Sequence, residues 1–345
     1  MISSDKIDIS TLKSQIGVEN ITPLPRDASP REYFRGIKSD QKFVLMLYPE
    51  VNSESRAELL DFIRIGKWIN DNGIKSPQCI ELYEKNGFAL FEDLGETSFG
   101  EALRKNIETP QNLYQSATDV LCVLRDAQPP NLPQYNQSRI HKNRRQLIDY
   151  YVTFIRGAQP SEETTQGFLS VWDTIESSLP PCPQGFVHGD YHLENLIYQP
   201  TEQGIKKCAL IDFQDALNGP LPYDLMNLLE DARVDVPADI KANMIERYCA
   251  QMSETERKNF KLWYRVLAAQ FHGRVLGLFI KLAAEQERDK YLIHIPRLQS
   301  YMIESLKSPI LAPLKSWFEK EGVDFTLIND LDGNDIRRAF QNIAF

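Results

Sequence analysis

The sequence predicts an α+β protein of two lobes, a small antiparallel-sheet lobe over residues 1–95 and a larger, mainly helical lobe over residues 96–345. Three observations predict it. Short apolar runs bounded by polar turns crowd the first 95 residues, whereas from Phe99 onward apolar residues recur mainly at helical spacing. Two proline-rich links, Gln128-Pro129-Pro130-Asn131-Leu132-Pro133 and Leu179-Pro180-Pro181-Cys182-Pro183, then interrupt the helical part. Proline ends a helix and restricts the residue before it, so these links mark element boundaries.

In chain order, Tyr33-Phe34-Arg35-Gly36-Ile37 and Lys42 to Tyr48 read as two strands joined by the polar Lys38-Ser39-Asp40-Gln41. Residues 56–72 then place Leu59, Leu60, Phe62, Ile63, Ile65 and Ile69 at helical spacing. Phe88-Ala89-Leu90-Phe91 is another strand, and Cys208-Ala209-Leu210-Ile211 is a buried one. Leu262 to Leu282 reads as a long helix with Leu267, Phe271, Val275, Leu278 and Leu282 as its core stripe.

Composition narrows the function classes. A chain of 345 residues can bury a substantial core, and 25% charged with 42% hydrophobic residues is ordinary for a globular protein. A net charge of −9 without a basic stripe argues against nucleic acid, whose phosphates need clustered cations. No uninterrupted apolar run is long enough to span a bilayer, and the first residues lack the apolar centre of a signal peptide. A cytoplasmic location without membrane partners is therefore expected. The five cysteines are scattered with no Cys-x-x-Cys pair, which argues against a disulfide frame or zinc site. Asp330 to Asp335 mimics a calcium loop, but its Gly is fourth rather than sixth and Gln341 stands where the closing Glu belongs. It reads as a turn and helix cap.

The chemistry is concentrated in Phe186-Val187-His188-Gly189-Asp190-Tyr191-His192-Leu193-Glu194-Asn195 and in Leu210-Ile211-Asp212-Phe213. Phosphoryl transfer needs Mg²⁺ against the phosphates, a hydroxyl in line and an acceptor for its proton. Asp190 fits the group that orients the hydroxyl and takes its proton. Asn195 can offer Mg²⁺ a neutral oxygen, and Asp212, at a strand end, a carboxylate. Singly, each could be an ordinary turn or cap residue. Together, at this spacing between two apolar runs, they point to a Mg²⁺-dependent transferase. His188 fits an ordering role in the loop better than proton transfer, which Asp190 already covers.

His188-Gly189-Asp190-x-x-x-x-Asn195 resembles the catalytic loop of the aminoglycoside phosphotransferase and choline kinase superfamily, and Asp212-Phe213 its metal motif. The resemblance implies a protein-kinase-like fold with ATP as co-substrate and Mg²⁺ as cofactor. It implies that Asp224, in Pro222-Tyr223-Asp224-Leu225, braces the catalytic loop. Glu92-Asp93-Leu94-Gly95 resembles the hinge that pairs with adenine, so Glu92 and Leu94 are expected nucleotide contacts. Two departures stand out. Met46 occupies the position where most relatives carry a phosphate-binding Lys, and Asp27-Ala28-Ser29-Pro30-Arg31 replaces a Gly-rich loop. Arg35 is the first candidate to replace the Lys, with Arg31 and Lys42 behind it, and Ser29 with neighbouring N–H groups could cover phosphates.

The departures are similar to those of the bacterial anomeric amino-sugar kinases of peptidoglycan recycling, which phosphorylate N-acetylmuramate and N-acetylglucosamine at C1 with ATP. Asp27 to Arg35, Leu210 to Ala216, Gly219 to Asp224 and Gln270 to Gly277 carry this resemblance. It implies a small sugar acceptor. His272 and Arg274 are candidate substrate contacts; being two apart on a helix they point about 200° apart, so only one faces a cleft. Arg274 suits the lactyl carboxylate of N-acetylmuramate because its planar fork matches a carboxylate, although an ion pair is an equal reading. Arg144 and Arg145 share that ambiguity. Asp215 reads as a sugar or metal-site contact or as the cap of the next turn. Other readings are a kinase of aminoglycosides or another small hydroxyl compound, and a nucleotide-binding pseudokinase.

Overall fold

The computed structural model describes residues 9–25, 31–326, 330–341 and 343. Helix α1 (Ile9–Ile16) precedes strand β1 (Ile21–Pro23) and the hairpin of β2 (Glu32–Lys38) and β3 (Gln41–Leu47). Its turn takes Ser39 and Asp40 at φ 49° and 64°, a left-handed geometry suited to a tight hairpin. Helix α2 (Ser53–Asp71) opens on a capping box in which Asn52 and Ser55 each satisfy the other's backbone N–H. Then come β4 (Cys79–Tyr83), β5 (Phe88–Glu92), α3 (Phe99–Arg104) and α4 (Pro110–Asp126), the two helices capped by Ser98 and Thr109. Short helix α5 (Arg139–Lys142), a π-helical stretch (Leu147–Val152), α6 (Thr153–Arg156) and α7 (Glu162–Ser177) follow. Four short strands come next: β6 (Gln184–Val187), β7 (Leu196–Tyr198), β8 (Cys208–Leu210) and β9 (Leu217–Pro220). The chain continues through α8 (Pro222–Leu229), α9 (Ala238–Tyr248), α10 (Glu254–Gln286), α11 (Ile295–Ser305), α12 (Ala312–Lys320) and α13 (Gly333–Gln341).

One compact unit comprises Met1–Pro130 and Leu193–Asp215. It therefore extends past the boundary expected at Gly95, taking in α3, α4 and the β7–β8 hairpin. Its five-stranded sheet has the order β1-β2-β3-β5-β4 with every pairing antiparallel. Alternation divides the side chains between two faces. Phe34, Phe43, Leu45, Leu47, Phe88 and Leu90 pack with Leu12 and Ile16 of α1 on one face. The register Tyr33↔Met46↔Ala89 and Arg35↔Val44↔Phe91 assigns those residues to the other. There Phe91 meets Phe62 of α2 edge-on, with ring centroids 5.0 Å apart.

The second unit comprises Asn131–His192 and Ala216–Phe345. Strands β6 and β9 pair antiparallel, from Gln184↔Pro220 to Val187↔Leu217. Around them the unit is helical, and α10 is its central element. The expected one-sided stripe understates this helix, which also buries Val266, Ala268, Ala269, Leu276 and Ile280. A helix apolar on most sides is a core helix. By length and mean hydropathy α10 could cross a membrane, but charged residues interrupt it and 72% of its most apolar stretch is buried inside this unit. At the calcium-like segment, Asp332 Oδ1 accepts from Asn334 N–H (2.7 Å) where α13 begins.

Close packing of α10 exploits glycine. A Cβ on Gly277 would lie 2.0 Å from the Gln146 carbonyl oxygen, whereas one on Gly273 would meet only the Leu147 Cδ2 methyl at 3.2 Å. Backbone cannot retreat as a methyl can. Gly277→Ala is expected to lose about 1–3 kcal/mol or more of stability. Gly273→Ala should stay within about 1 kcal/mol of the parent, because alanine's helix propensity offsets mild crowding. Equilibrium denaturation of the two variants checks the contrast.

Candidate active site

The loop after β6 carries the sequence's most distinctive residues. Gly189 turns it at φ +87°, a conformation glycine adopts without the Cβ penalty. That turn directs two consecutive N–H groups toward the first turn of α8, where Asp224 receives them. Its Oδ2 accepts from His188 N–H at 2.6 Å and its Oδ1 from Gly189 N–H at 3.0 Å. Asp224 is buried, and burial raises its carboxyl to about 6 even though His188 and the two N–H donors pull the other way. His188 is fully buried, and its Nδ1 accepts from Asp190 N–H at 3.3 Å. These are contacts that order a loop.

Asp190 points outward, with 56% of its side chain exposed, and its Oδ1 lies 3.2 Å from His192 Nε2. Burial of the loop would raise its carboxyl, but the hydrogen bond and charge of His192, helped by Arg233 and His188, outweigh that and hold it below the ordinary carboxylate range. Asp190 is thus a carboxylate at any physiological pH. Such a weak base is suited to a reaction in which a hydroxyl is oriented and its proton leaves late, as in phosphoryl transfer. Arg233, 3.0 Å from Asp231, is a cation that the sequence reading passed over. Its charge helps to lower the Asp190 carboxyl.

The metal-ligand candidates belong to the first unit. Asn195 ends a 3₁₀ turn, and its carbonyl accepts from Ile211 N–H at 3.2 Å, which ties it to the strand leading to Asp212. The β7–β8 hairpin pairs Leu196↔Leu210 and Tyr198↔Cys208. The preceding Glu194 is anchored by Ser98 Oγ at 2.7 Å and by Arg104. It sits where a Cβ on Gly100 would collide with it, 2.1 Å from Oε1. Sequence reading missed this anchor, because its partners lie about ninety positions upstream.

Asp212 takes φ +61°, an uncommon geometry for a residue with a Cβ. Such strain persists where surroundings enforce it. Here Phe213 is fully buried and stacks on Phe62, centroids 4.5 Å apart and planes 14° apart. The Asp212 carboxylate is 40% exposed and accepts from Gln214 Nε2 at 3.0 Å. Arg31 Nη2 lies 3.7 Å from its Oδ1. An amide oxygen and a carboxylate are donors suited to a hard cation.

Several expected site residues prove to be engaged otherwise. Arg35 is held by Asp93 (Nε to Oδ2, 2.8 Å), by Glu96 and by the Gly95 carbonyl at 3.2 Å. It therefore staples the segment 93–96 to β2, and its guanidinium is taken up there. Leu94 is nearly buried and its carbonyl accepts from Gln199 Nε2 at 2.7 Å, while the Glu92 carboxylate lies 3.7 Å from Lys75. Ser29 lies outside the described residues. Asp215 is exposed.

In the second unit, His272 and Arg274 diverge as helical geometry requires. His272 is fully buried, stacked on Tyr301 with Nε2 3.3 Å from the Glu230 carbonyl, and burial pushes it down to about 4. A neutral, enclosed imidazole cannot reach a sugar, which corrects the expectation for His272. Arg274 instead extends to the Tyr223 hydroxyl (3.3 Å) beside Tyr135, His141 and Gln270. Arg144 is paired with Asp173 (2.9 Å) and Glu176 (3.4 Å), and Arg145 with Asp149 (2.9 Å). An adjoining hollow of about 250 Å³ is lined by Tyr135, Glu176, Trp263 and Gln270 among others.

The chain matches the phosphotransferase enzyme family over residues 20–261. It belongs to that family. A protein of Caulobacter vibrioides named N-acetylmuramate/N-acetylglucosamine kinase is 27% identical over 326 residues, spanning 85% of this chain and 90% of that protein. A Neisseria meningitidis protein of the same name is 28% identical, over 86% of this chain and 88% of its own. Among solved structures, an ADP-bound aminoglycoside phosphotransferase superposes with a TM-score of 0.57 at 13% identity, covering 86% of this chain and 97% of that one. The fold is the two-lobed, kinase-like α+β fold of such enzymes.

For a phosphotransferase built this way, the Asp224 brace yields two predictions. Asp224→Asn would set an amide NH₂ against one of the two loop N–H donors. The unmet buried group costs about 1–3 kcal/mol, so turnover should fall roughly tenfold to a hundredfold while the protein stays folded, as steady-state kinetics and a melting curve would reveal. In the wild type, Asp224 gains a proton as pH falls through about 6, and one loop N–H then loses its acceptor. Turnover should decline through that range, with Asp190 adding no limb there, in a kcat profile. Stability has the opposite sign. The folded value lies above the ordinary Asp value of about 4, so this group's contribution is full below about pH 4 and lost as pH rises through about 6.

Proposed function

We propose that this phosphotransferase moves the γ-phosphate of ATP to the anomeric hydroxyl of an amino sugar, N-acetylmuramate or N-acetylglucosamine, in the cytoplasm, as a step of bacterial cell-wall recycling. The observation that carries the reading is the loop in which Gly189 and Asp224 hold Asp190 as an outward-facing carboxylate. The relatives' names support the choice of acceptor. Asp190 orients the C1 hydroxyl and accepts its proton as the new O–P bond forms and the bond from the γ-phosphorus to ADP breaks. Asn195 and Asp212 are the residues to hold Mg²⁺, which when bound neutralises phosphate charge. His188 and Asp224 keep the loop in register. Glu92 and Leu94 belong to the hinge segment that would offer backbone groups to adenine.

Arg274 and Arg233 are cations suited to the carboxylate of N-acetylmuramate. Arg274 has the better case, since among the described residues its guanidinium meets a tyrosine hydroxyl and the Phe271 ring but no carboxylate. An aminoglycoside acceptor is a polycation, and a guanidinium without a carboxylate partner at Arg274 disfavours it. Incubation with Mg·ATP and each sugar, followed by phosphorus NMR, tests the reading. A sugar 1-phosphate is expected, lost in Asp190→Asn and Asp212→Asn. Product only with aminoglycosides would move the acceptor, and no transfer from bound ATP would favour a pseudokinase.

A further inference from the structure

Met46, at 1% exposure, puts a thioether on β3 where a kinase needs a cation for the α- and β-phosphates. Three basic residues of this unit were candidates to replace it. Arg35 is committed to Asp93, Glu96 and the Gly95 carbonyl. Lys42 is exposed and four residues back along the strand, roughly 13 Å at the usual rise. Arg31 shares their sheet face and is set apart by its neighbour, the Asp212 carboxylate. It directly precedes β2, two residues before Tyr33, whose cross-strand partner is Met46. Residues two apart share a sheet face, so Arg31 enters on the face that Met46 occupies. Its side chain is 8% exposed, and its guanidinium lies 3.7 Å from the Asp212 carboxylate.

We propose that Arg31 is the phosphate-gripping cation of this enzyme, supplying from the start of β2 the charge that Met46 cannot supply from β3. The inference rests on the kinase reading above. Arg31 already stands beside the carboxylate assigned to the metal, so it is placed where phosphate and metal ligands must converge. A guanidinium can grip two phosphate oxygens at once, and such charge-assisted bonds are the stronger kind.

The test compares nucleotide affinities by calorimetry, with and without Mg²⁺, for ATP and for adenosine, which has no phosphates. Arg31→Ala should weaken ATP by about tenfold or more, the equivalent of one charge-assisted hydrogen bond, and leave adenosine within about twofold. Adding Met46→Lys to that variant should restore part of the ATP affinity but not alter adenosine. Equal losses for both ligands would indicate a merely structural arginine, and no loss with ATP would remove Arg31 from the phosphates; either result overturns the proposal. Should Arg31→Ala melt early, Arg31→Lys, which keeps the charge without the fork, carries the same comparison with a smaller ATP loss. A wild-type protein that neither binds ATP nor transfers phosphate would sink the kinase reading itself. Wild-type binding with indifferent Arg31 variants sinks only this assignment.

Discussion

The loop after β6 depends on one buried carboxylate. Gly189's left-handed turn sends two N–H groups inward, and a pair of donors without acceptors in the interior would be costly. Asp224 answers with both oxygens, from the first turn of a helix whose dipole favours negative charge. Two charge-assisted bonds contribute about 1.5–3 kcal/mol each, whereas removing a carboxylate from water costs several. The raised value of Asp224 indicates that burial outweighs these bonds. The brace therefore serves the shape of the loop more than the stability of the fold. Asp190 benefits directly, because the same turn faces it toward solvent and His192.

In the other unit the corresponding constraint is aromatic. Phe213, next to the strained Asp212, stacks on Phe62 of α2, and Gly66 leaves the room for it, since a Cβ there would sit 3.1 Å from the Phe213 ring. Phe62 in turn meets Phe91 of the sheet. A chain of three rings thus couples the segment after β8, the helix and the sheet. A hydrophobic contact of this kind can hold a backbone in the left-handed region because its burial outweighs a strain of about 1–3 kcal/mol. Charged groups arrange themselves around this frame. Arg35 secures the hinge, and Arg31 accompanies Asp212.

Much of this was legible in the residues alone. The hairpin of β2 and β3 follows from alternating apolar positions around a polar turn, and α2 from helical spacing. The site motif is legible because His188, Gly189, Asp190 and Asn195 are neighbours in sequence, as are Asp212 and Phe213. Short-range spacing survives any packing, so the chemistry and the family could be read before the fold. Assignments that depend on long-range partners could not. Glu194 acquires its role from Ser98 and Arg104, Arg35 loses its expected role to Asp93 and Glu96, and His272 is withdrawn by Glu230 and Tyr301.

The sequence by itself determined the reaction class, because the residues proposed for metal, hydroxyl and proton lie within short motifs whose local geometry is set by adjacent residues. Tertiary structure decided which charged side chains remain available. An arginine in a sequence is only a charge on a flexible stem, and whether it meets a ligand or a carboxylate of its own chain depends on what folding brings within about 4 Å. That is why Arg31, Arg35 and Arg233 looked alike as letters but meet different carboxylates in the folded protein, Asp212, Asp93 and Asp231.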